Sequence, residues 1–227
     1  MTRLSLALLG PMQIMLAGQP VGGFAYNKAR ALLAYLAVEA GHPHQRDILA
    51  TLLWPDMPDE AARHNLRQTL TNLRTALGDA GARPPFLLIS RDAIQFNPAS
   101  NYDLDVVAFT ALLATCETHA HRHLERCRSC AARLEEAIAL YRGDFLAGFS
   151  VGDSAPFEEW QLRQRERLHQ RALSALAHLA DYFERRGDDE PARRYAQCQI
   201  ELELWGAEND VVHRLPYDVH IDHLQVR

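Results

Sequence analysis

The sequence predicts a mainly helical protein with a small amount of β-structure, organised in two parts. Near the N-terminus, apolar and polar residues alternate, as they do in strands with one buried face. Apolar residues then repeat at helical spacing, first in three short segments and later, from 103 to 204, almost throughout. The polar stretch 97–103 contains Pro, Ser and Asn and separates the two parts, so we place a domain boundary there.

The N-terminal strands come first. Leu4, Leu6 and Leu8 alternate with other residues until Gly10-Pro11 ends the run, and two further short strands are predicted near 13–16 and 20–21. The apolar stretch is too short for a signal peptide, and no run of eighteen apolar residues occurs. We therefore expect a small antiparallel sheet in a cytoplasmic protein without a membrane partner.

Three helices and a hairpin follow the sheet. The helical periods cover 27–39, 45–54 and 59–77, and Gly78 is a suitable residue to end the third helix. The apolar runs 86–90 and 93–96 flank Arg91-Asp92, which predicts a β-hairpin. A sheet, three helices and a terminal hairpin are the elements of a winged helix-turn-helix, which we assign to residues 1–98.

The third helix has a leucine stripe and a wide polar face. Leu66, Leu70, Leu73 and Leu77 lie within about 40° of one another at 100° per residue. No acidic residue occurs between 61 and 78, although solvated helices usually mix both signs of charge. A helix of this kind fits the major groove of double-stranded DNA, where Arg, Gln and Asn read base edges. The predicted DNA-binding residues are Arg63, His64, Arg67, Gln68, Thr71, Asn72, Arg74 and, at the hairpin tip, Arg91.

Within that set, we assign base edges to Arg67, Gln68, Thr71 and Asn72, and phosphates to the remaining arginines. The alternative is an ordinary solvated amphipathic helix. The charge distribution favours DNA only weakly. Residues 1–100 carry nine Lys or Arg and seven Asp or Glu, whereas the rest carries fifteen and twenty-two, within an overall net charge of -5. No HExxH, phosphate-binding GxxxxGK[ST] or dinucleotide-binding motif occurs, so an enzyme is not predicted.

A cluster of cysteines and histidines lies at 116–130. Its Cys-x-x-His and Cys-x-x-Cys pairs offer four ligands of the type that tetrahedral zinc prefers. Such a site would be structural, because it has no open position for water. The predicted metal ligands are Cys116, His119, His121, Cys127 and Cys130, with the three cysteines favoured and one of the first two histidines as the fourth ligand.

The same cluster has two other interpretations. Cys116 and Cys127 each lie on an apolar stripe, so they can equally be small buried hydrophobic residues. A redox switch is a third interpretation, although no basic neighbour that would activate a thiol is evident. A zinc-dependent hydrolase is disfavoured, since neither an open metal position nor an acidic base is apparent.

Three segments resemble the SARP-type bacterial transcriptional activators. They are LLGPMQIMLAGQPVGGFAYNKARALLAYLAVEAG, LLWPDMPDEAARHNLRQTLTNLRTALG and LEEAIALYRGDFLAGF. The second segment, up to Gly78, is the most specific. The resemblance implies an OmpR-like winged helix followed, at 103–205, by an all-α, tetratricopeptide-like bacterial transcriptional activator domain. It also implies binding to repeated promoter-proximal sites, with a homodimer as one arrangement, and contact with RNA polymerase.

Two further expectations concern the end of the chain and a rival function. Residues 206–227 form an atypical tail that no longer resembles the family, so the helical array is expected to need a cap from the tail, a second chain or a partner. The rival hypothesis is a protein-interaction adaptor, in which the winged helix no longer binds DNA and the helical domain carries the function.

Overall fold

The computed structural model describes residues 2–120 and 123–207. Within this part, the chain is mainly helical with two small sheets, which confirms the predicted fold class. The candidate ligand His121 and the predicted tail from residue 208 onward lie outside the described residues. None of the helices that the structure describes has the length and apolar character needed to span a membrane.

The strands form two sheets. The first has the order β3-β2-β1-β7, with β1 antiparallel to β2 and parallel to β7. The second is antiparallel, with the order β4-β6-β5, and contains the predicted hairpin. The strands are β1 (Leu4–Ala7), β2 (Gln13–Leu16), β3 (Gln19–Pro20), β4 (His44–Gln45), β5 (Leu87–Ile89), β6 (Ala93–Phe96) and β7 (Tyr102–Leu104).

The helices follow the apolar periods closely in the first half of the chain. In the second half, one 3-10 turn, Leu124–Arg126, precedes a helix that begins one residue after Cys127. The helices are α1 (Asn27–Val38), α2 (Arg46–Leu53), α3 (Asp59–Ala76), α4 (Asp105–Thr118), α5 (Arg128–Leu140), α6 (Ala155–Arg186) and α7 (Asp189–Ala207).

The stretch 97–103, where composition places the domain boundary, is structured. Asn97 is buried, and its side-chain N–H donates to the Pro85 carbonyl at 2.7 Å. Directly after β7, the Asp105 carboxylate accepts the backbone N–H groups of Leu8 (2.9 and 2.8 Å) and Leu9 (2.8 Å). Asn97 thus satisfies a backbone group beside the second sheet, and Asp105 satisfies two beside the first.

The chain forms two compact units whose limits differ from the predicted domains. Among the described residues, one unit comprises 2–108 and 145–168, and the other comprises 109–120, 123–144 and 169–207. The first contains both sheets, α1 to α3 and the first part of α6. The second contains α5, most of α4, the rest of α6, and α7. Composition alone did not indicate that 145–168 belongs with the winged helix-turn-helix elements.

Candidate functional site

The leucine stripe fixes which side of α3 is buried. Leu66 and Leu70 are 1% and 6% exposed, and Leu73 and Leu77 are equally enclosed. The polar face opposite them is open to solvent, so the predicted DNA-contact ridge is not packed into the interior. The side chains exposed on this face are Arg63, His64, Arg67, Gln68, Thr71, Arg74 and Thr75.

Two members of this ridge belong to a side-chain pair within the helix. The Gln68 amide nitrogen lies 2.8 Å from a ring nitrogen of His64, one helical turn away. Thr71 donates its hydroxyl to the backbone carbonyl of Arg67 at 2.9 Å. Arg67 itself has no side-chain partner among the residues that the structure describes. Its guanidinium is therefore available to a ligand in the groove.

Three of the predicted contact residues are engaged elsewhere in the first unit. Arg63 makes a two-pronged ion pair with Asp47 of α2, with N–O distances of 2.6 and 2.8 Å. The hydrogen bonds from Arg63 lower the pKa of the Asp47 carboxyl. Arg74 faces the buried Asp79 carboxylate at 3.3 Å. These two arginines thus have structural partners that spacing along the sequence does not reveal.

Asn72 is the third engaged residue. Its side-chain N–H donates to the Gly23 carbonyl at 3.2 Å, and its side-chain oxygen accepts the Ala25 N–H at 3.2 Å. Asn72 is half-buried, and it holds the loop before α1 against α3. Asn72 therefore anchors this loop, and its assignment to a base edge stays a prediction.

The β5–β6 hairpin lies next to the exposed polar face of α3. Arg91 is exposed in the turn between β5 and β6, as predicted. The turn is closed by Ser90, which exchanges hydrogen bonds with the Ala93 backbone at 2.9 to 3.1 Å. Arg91 and Arg67 line one open cleft of about 850 Å³, together with Arg46 and Arg63. Asp47 and Asp92 also line the cleft, so four arginines and two aspartates leave it with a net positive charge.

Arg46 is a residue of this cleft that the sequence interpretation missed. Its guanidinium donates to the Ser90 carbonyl at 3.0 and 3.3 Å, and its backbone N–H donates to the Asp92 carbonyl at 3.0 Å. The N-terminus of α2 is thereby attached to the hairpin turn. A signal was available, because an arginine in the first turn of a helix opposes the helix dipole and usually has another role.

The second candidate site is the cysteine-histidine cluster in the second unit. His119 Nδ1 lies 3.2 Å from Cys130 Sγ and 3.4 Å from Cys127 Sγ. The three ligand atoms all lie within 4.8 Å of one another. Cys116 is buried, and its thiol donates to the Cys130 carbonyl at 3.7 Å. The structure therefore brings together three predicted ligands, and Cys116 lies outside this group but contacts the backbone of Cys130.

The thiols of this cluster differ in their environments. Burial raises the pKa of Cys130 to about 12, and it raises the pKa of Cys116 as well. The backbone N–H of Cys130 lowers the pKa of the Cys127 thiol. No disulfide joins the four cysteines, all of which lie in the described part of the chain. The fourth, Cys198, is in α7 and is not a member of the cluster.

Comparisons with known proteins agree with the fold and the sequence resemblance. Residues 104–211 match the family model described as the bacterial transcriptional activator domain. The transcriptional regulatory protein EmbR of Mycobacterium tuberculosis, and that of Mycobacterium bovis, is 40% identical over 86 residues. That match covers 38% of this chain and only 22% of each relative, so the chain spans a small part of their length.

A solved structure has the same architecture. It is Mycobacterium tuberculosis EmbR in complex with a low affinity phosphopeptide, and it aligns with a TM-score of 0.58 at 23% identity. The alignment covers 92% of this chain and 57% of that one. At this identity, the likeness establishes the fold, a winged helix followed by an all-α domain. The domain match and the 40% identity to EmbR support the resemblance to the SARP-type bacterial transcriptional activators.

Proposed function

We propose that this protein is a transcriptional regulator that binds double-stranded DNA in a sequence-specific manner. The observation that carries the proposal is the exposed polar face of α3, which carries no acidic residue after Glu60 and stands beside a hairpin with an arginine at its tip. An α-helix fits the major groove, and the wing then lies over the adjacent backbone or minor groove. The buried leucines hold α3 rigidly, so binding does not require the helix to be ordered first.

We assign base reading to the side chains of α3 that are exposed and make no hydrogen bond or ion pair with another element. Arg67 can donate two hydrogen bonds to one guanine, and Gln68 can pair with adenine. Thr71 lies one turn beyond Arg67 and can contact a neighbouring base. His64 either orients the Gln68 side chain or contacts the DNA backbone. Asn72 contributes indirectly, because it positions the loop beside the helix.

Phosphate contacts fall to the arginines of the cleft. Arg91 is exposed at the hairpin turn, and it has no side-chain partner among the residues that the structure describes. Arg63 and Arg46 also line the cleft, and each keeps an intramolecular partner while presenting positive charge. Arg74 is partly neutralised by Asp79 and is a weaker candidate. These contacts would position the protein, whereas α3 would supply the specificity.

The regulatory output is assigned to the all-α domain. The resemblance to the SARP-type activators supports a cytoplasmic regulator that binds repeated promoter-proximal sites, as a homodimer or as adjacent copies. It also supports contact with RNA polymerase. It likewise supports a non-enzymatic role. The matched domain, 104–211, contains the helices that would make these protein contacts.

Selection from random duplex DNA tests the proposal. Full-length protein should enrich one sequence motif, arranged as a direct repeat if two copies bind together. Affinity for that motif should fall steeply as salt rises, with a log–log slope of about -0.9 for each phosphate contact. Enrichment of no motif, together with no retardation of promoter DNA at low salt, would reject the proposal.

The structure also gives some support to the adaptor alternative. Arg63, Arg74 and Asn72, which the sequence assigns to DNA, have intramolecular partners. In an adaptor, these bonds would simply stabilise a winged helix that no longer reads DNA. The two functions differ in one result: only a DNA reader should lose affinity for a selected duplex when Arg67 is replaced by Ala.

A further inference from the structure

We infer that Cys116, His119, Cys127 and Cys130 form a closed structural zinc site that joins the end of α4 to the start of α5. Cys116 lies in the last turn of α4, and His119 follows its final residue. Cys127 directly precedes α5, and Cys130 lies in its first turn. A single ion would thus fix two helix ends across the intervening residues. The site is separate from the proposed DNA surface and does not depend on it.

The distances support a shared ion. In tetrahedral zinc sites, Zn–S is about 2.3 Å and Zn–N about 2.0–2.1 Å, which separates nitrogen and sulfur ligands by about 3.6 Å. The two observed separations, 3.2 and 3.4 Å from His119 Nδ1 to Cys130 Sγ and Cys127 Sγ, are close to that value. A hydrogen bond would account for one such contact. Here the same ring nitrogen faces two sulfurs.

The number of ligands and their chemical types indicate which metal would bind. The three gathered ligand atoms leave one tetrahedral position, and the buried Cys116 thiol lies against Cys130. Three thiolates and one imidazole form a ligand set typical of structural zinc. With all four positions filled by protein, no water is left for catalysis.

Metal content of the full-length chain provides the first test. The protein is purified under reducing conditions, without a histidine tag, from medium supplemented with zinc. Native mass spectrometry and elemental analysis should find about one zinc per chain. Cys127→Ser and Cys130→Ser should each lose most of this zinc. Cys198→Ser removes a thiol outside the cluster and should retain it.

Cobalt substitution tests the ligands themselves and remains informative if a variant unfolds. The wild-type chain with Co²⁺ should show a thiolate-to-cobalt charge-transfer band and the intense visible bands of a tetrahedral ion. His119→Cys should retain tetrahedral bands, whereas His119→Ala should lose them. A wild-type chain that binds neither zinc nor cobalt after reduction would overturn the inference. His119→Cys is expected to keep its metal. If His119→Ala also keeps the wild-type metal content, His119 is not a ligand and the proposed ligand set is overturned.

Discussion

The buried Asp79 carboxylate shows how one residue connects the recognition helix to the wing. Asp79 is 2% exposed, and one carboxylate oxygen accepts the backbone N–H groups of Phe86 (2.7 Å) and Leu87 (3.1 Å). The other oxygen faces Arg74 Nε at 3.3 Å. A buried charge is tolerated only when it is paired and hydrogen-bonded, and Asp79 meets both conditions. The end of α3 is therefore tied to β5 through this side chain.

Replacing Asp79 with Ala should be strongly destabilising. The change leaves two buried N–H groups without an acceptor and removes the partner of Arg74. The free energy of unfolding should fall by about 3–5 kcal/mol. Urea unfolding followed by circular dichroism measures this loss. Asp153→Ala removes an exposed partner of Lys28 and should cost about 0–1 kcal/mol. Equal losses in the two variants would contradict the assignment.

At the scale of single residues, the sequence predicted which side chains are exposed better than it predicted their hydrogen-bond partners. The helical period placed Arg67 and Gln68 on an exposed face, because periodicity depends only on the local backbone. It could not show that Asn72 bonds to a loop almost fifty residues earlier. It also could not show that Asp47 pairs with Arg63. Partners distant in the chain are set by packing, which residue spacing does not encode.

At the scale of elements, α2 fixes the position of the wing. The Arg46 guanidinium holds the Ser90 carbonyl, and its backbone N–H holds the Asp92 carbonyl. Through the Arg63–Asp47 ion pair, the same helix is joined to α3. The helix and the hairpin turn therefore present their cations together. Preorganisation of this kind reduces the entropy lost on binding.

Replacing Arg91 with Ala should weaken DNA binding to a similar degree for different sequences. If Arg91 contacts one phosphate, the salt slope should become shallower by about 0.9. Fluorescence anisotropy at several salt concentrations measures both quantities. Arg193→Ala, which removes an exposed arginine of α7, is the matched control and should leave the slope unchanged. A loss restricted to one DNA sequence would instead assign Arg91 to a base.

Element type was predictable wherever the apolar period was long. The bounds of α1, α2 and α3 differ from the predicted ones by a residue or so at each end. β7 was missed, since it is three residues long and lies in a polar stretch. The helical period predicted over 103–204 is interrupted by a 3-10 turn at Leu124–Arg126, and α5 begins at Arg128. Short elements depend on tertiary hydrogen bonds more than on their own sequence.

At the scale of the whole molecule, the matched family domain does not coincide with a compact unit. Residues 145–168 lie within the matched 104–211 segment, but they pack with the winged helix-turn-helix elements. Trp160 is 6% exposed, and its indole N–H donates to the Glu39 carboxylate at 2.9 Å. Ser154 donates to the Leu52 carbonyl. The apolar face of early α6 thus completes the core of the first unit.

Trp160→Ala should therefore destabilise the first unit, although the residue lies far along the chain from the winged helix-turn-helix elements. Loss of a buried tryptophan should lower the free energy of unfolding by about 3–5 kcal/mol. Leu162→Ala, on the same helix but 62% exposed, should have little effect. Thermal unfolding of the full chain measures both variants. Equal stability of Trp160→Ala and the wild type would show that this helix segment is not part of the core.

Periodicity showed that early α6 has an apolar face, but it could not show what covers that face. Composition likewise placed a boundary at 97–103, where the structure has a buried Asn97 and strand β7. The resemblance to the family supplied the two-part architecture. The division into compact units depends on contacts between segments more than a hundred residues apart, such as Glu39 and Trp160.

The central claim is that the exposed face of α3 reads DNA, and Arg67 tests it most directly. Wild type and Arg67→Ala are titrated against the selected duplex and a scrambled one, with Arg193→Ala as the control. The account predicts that Arg67→Ala loses about 1–3 kcal/mol on the selected duplex and little on the scrambled one. Equal affinity of the wild type and Arg67→Ala for the selected duplex would contradict the account.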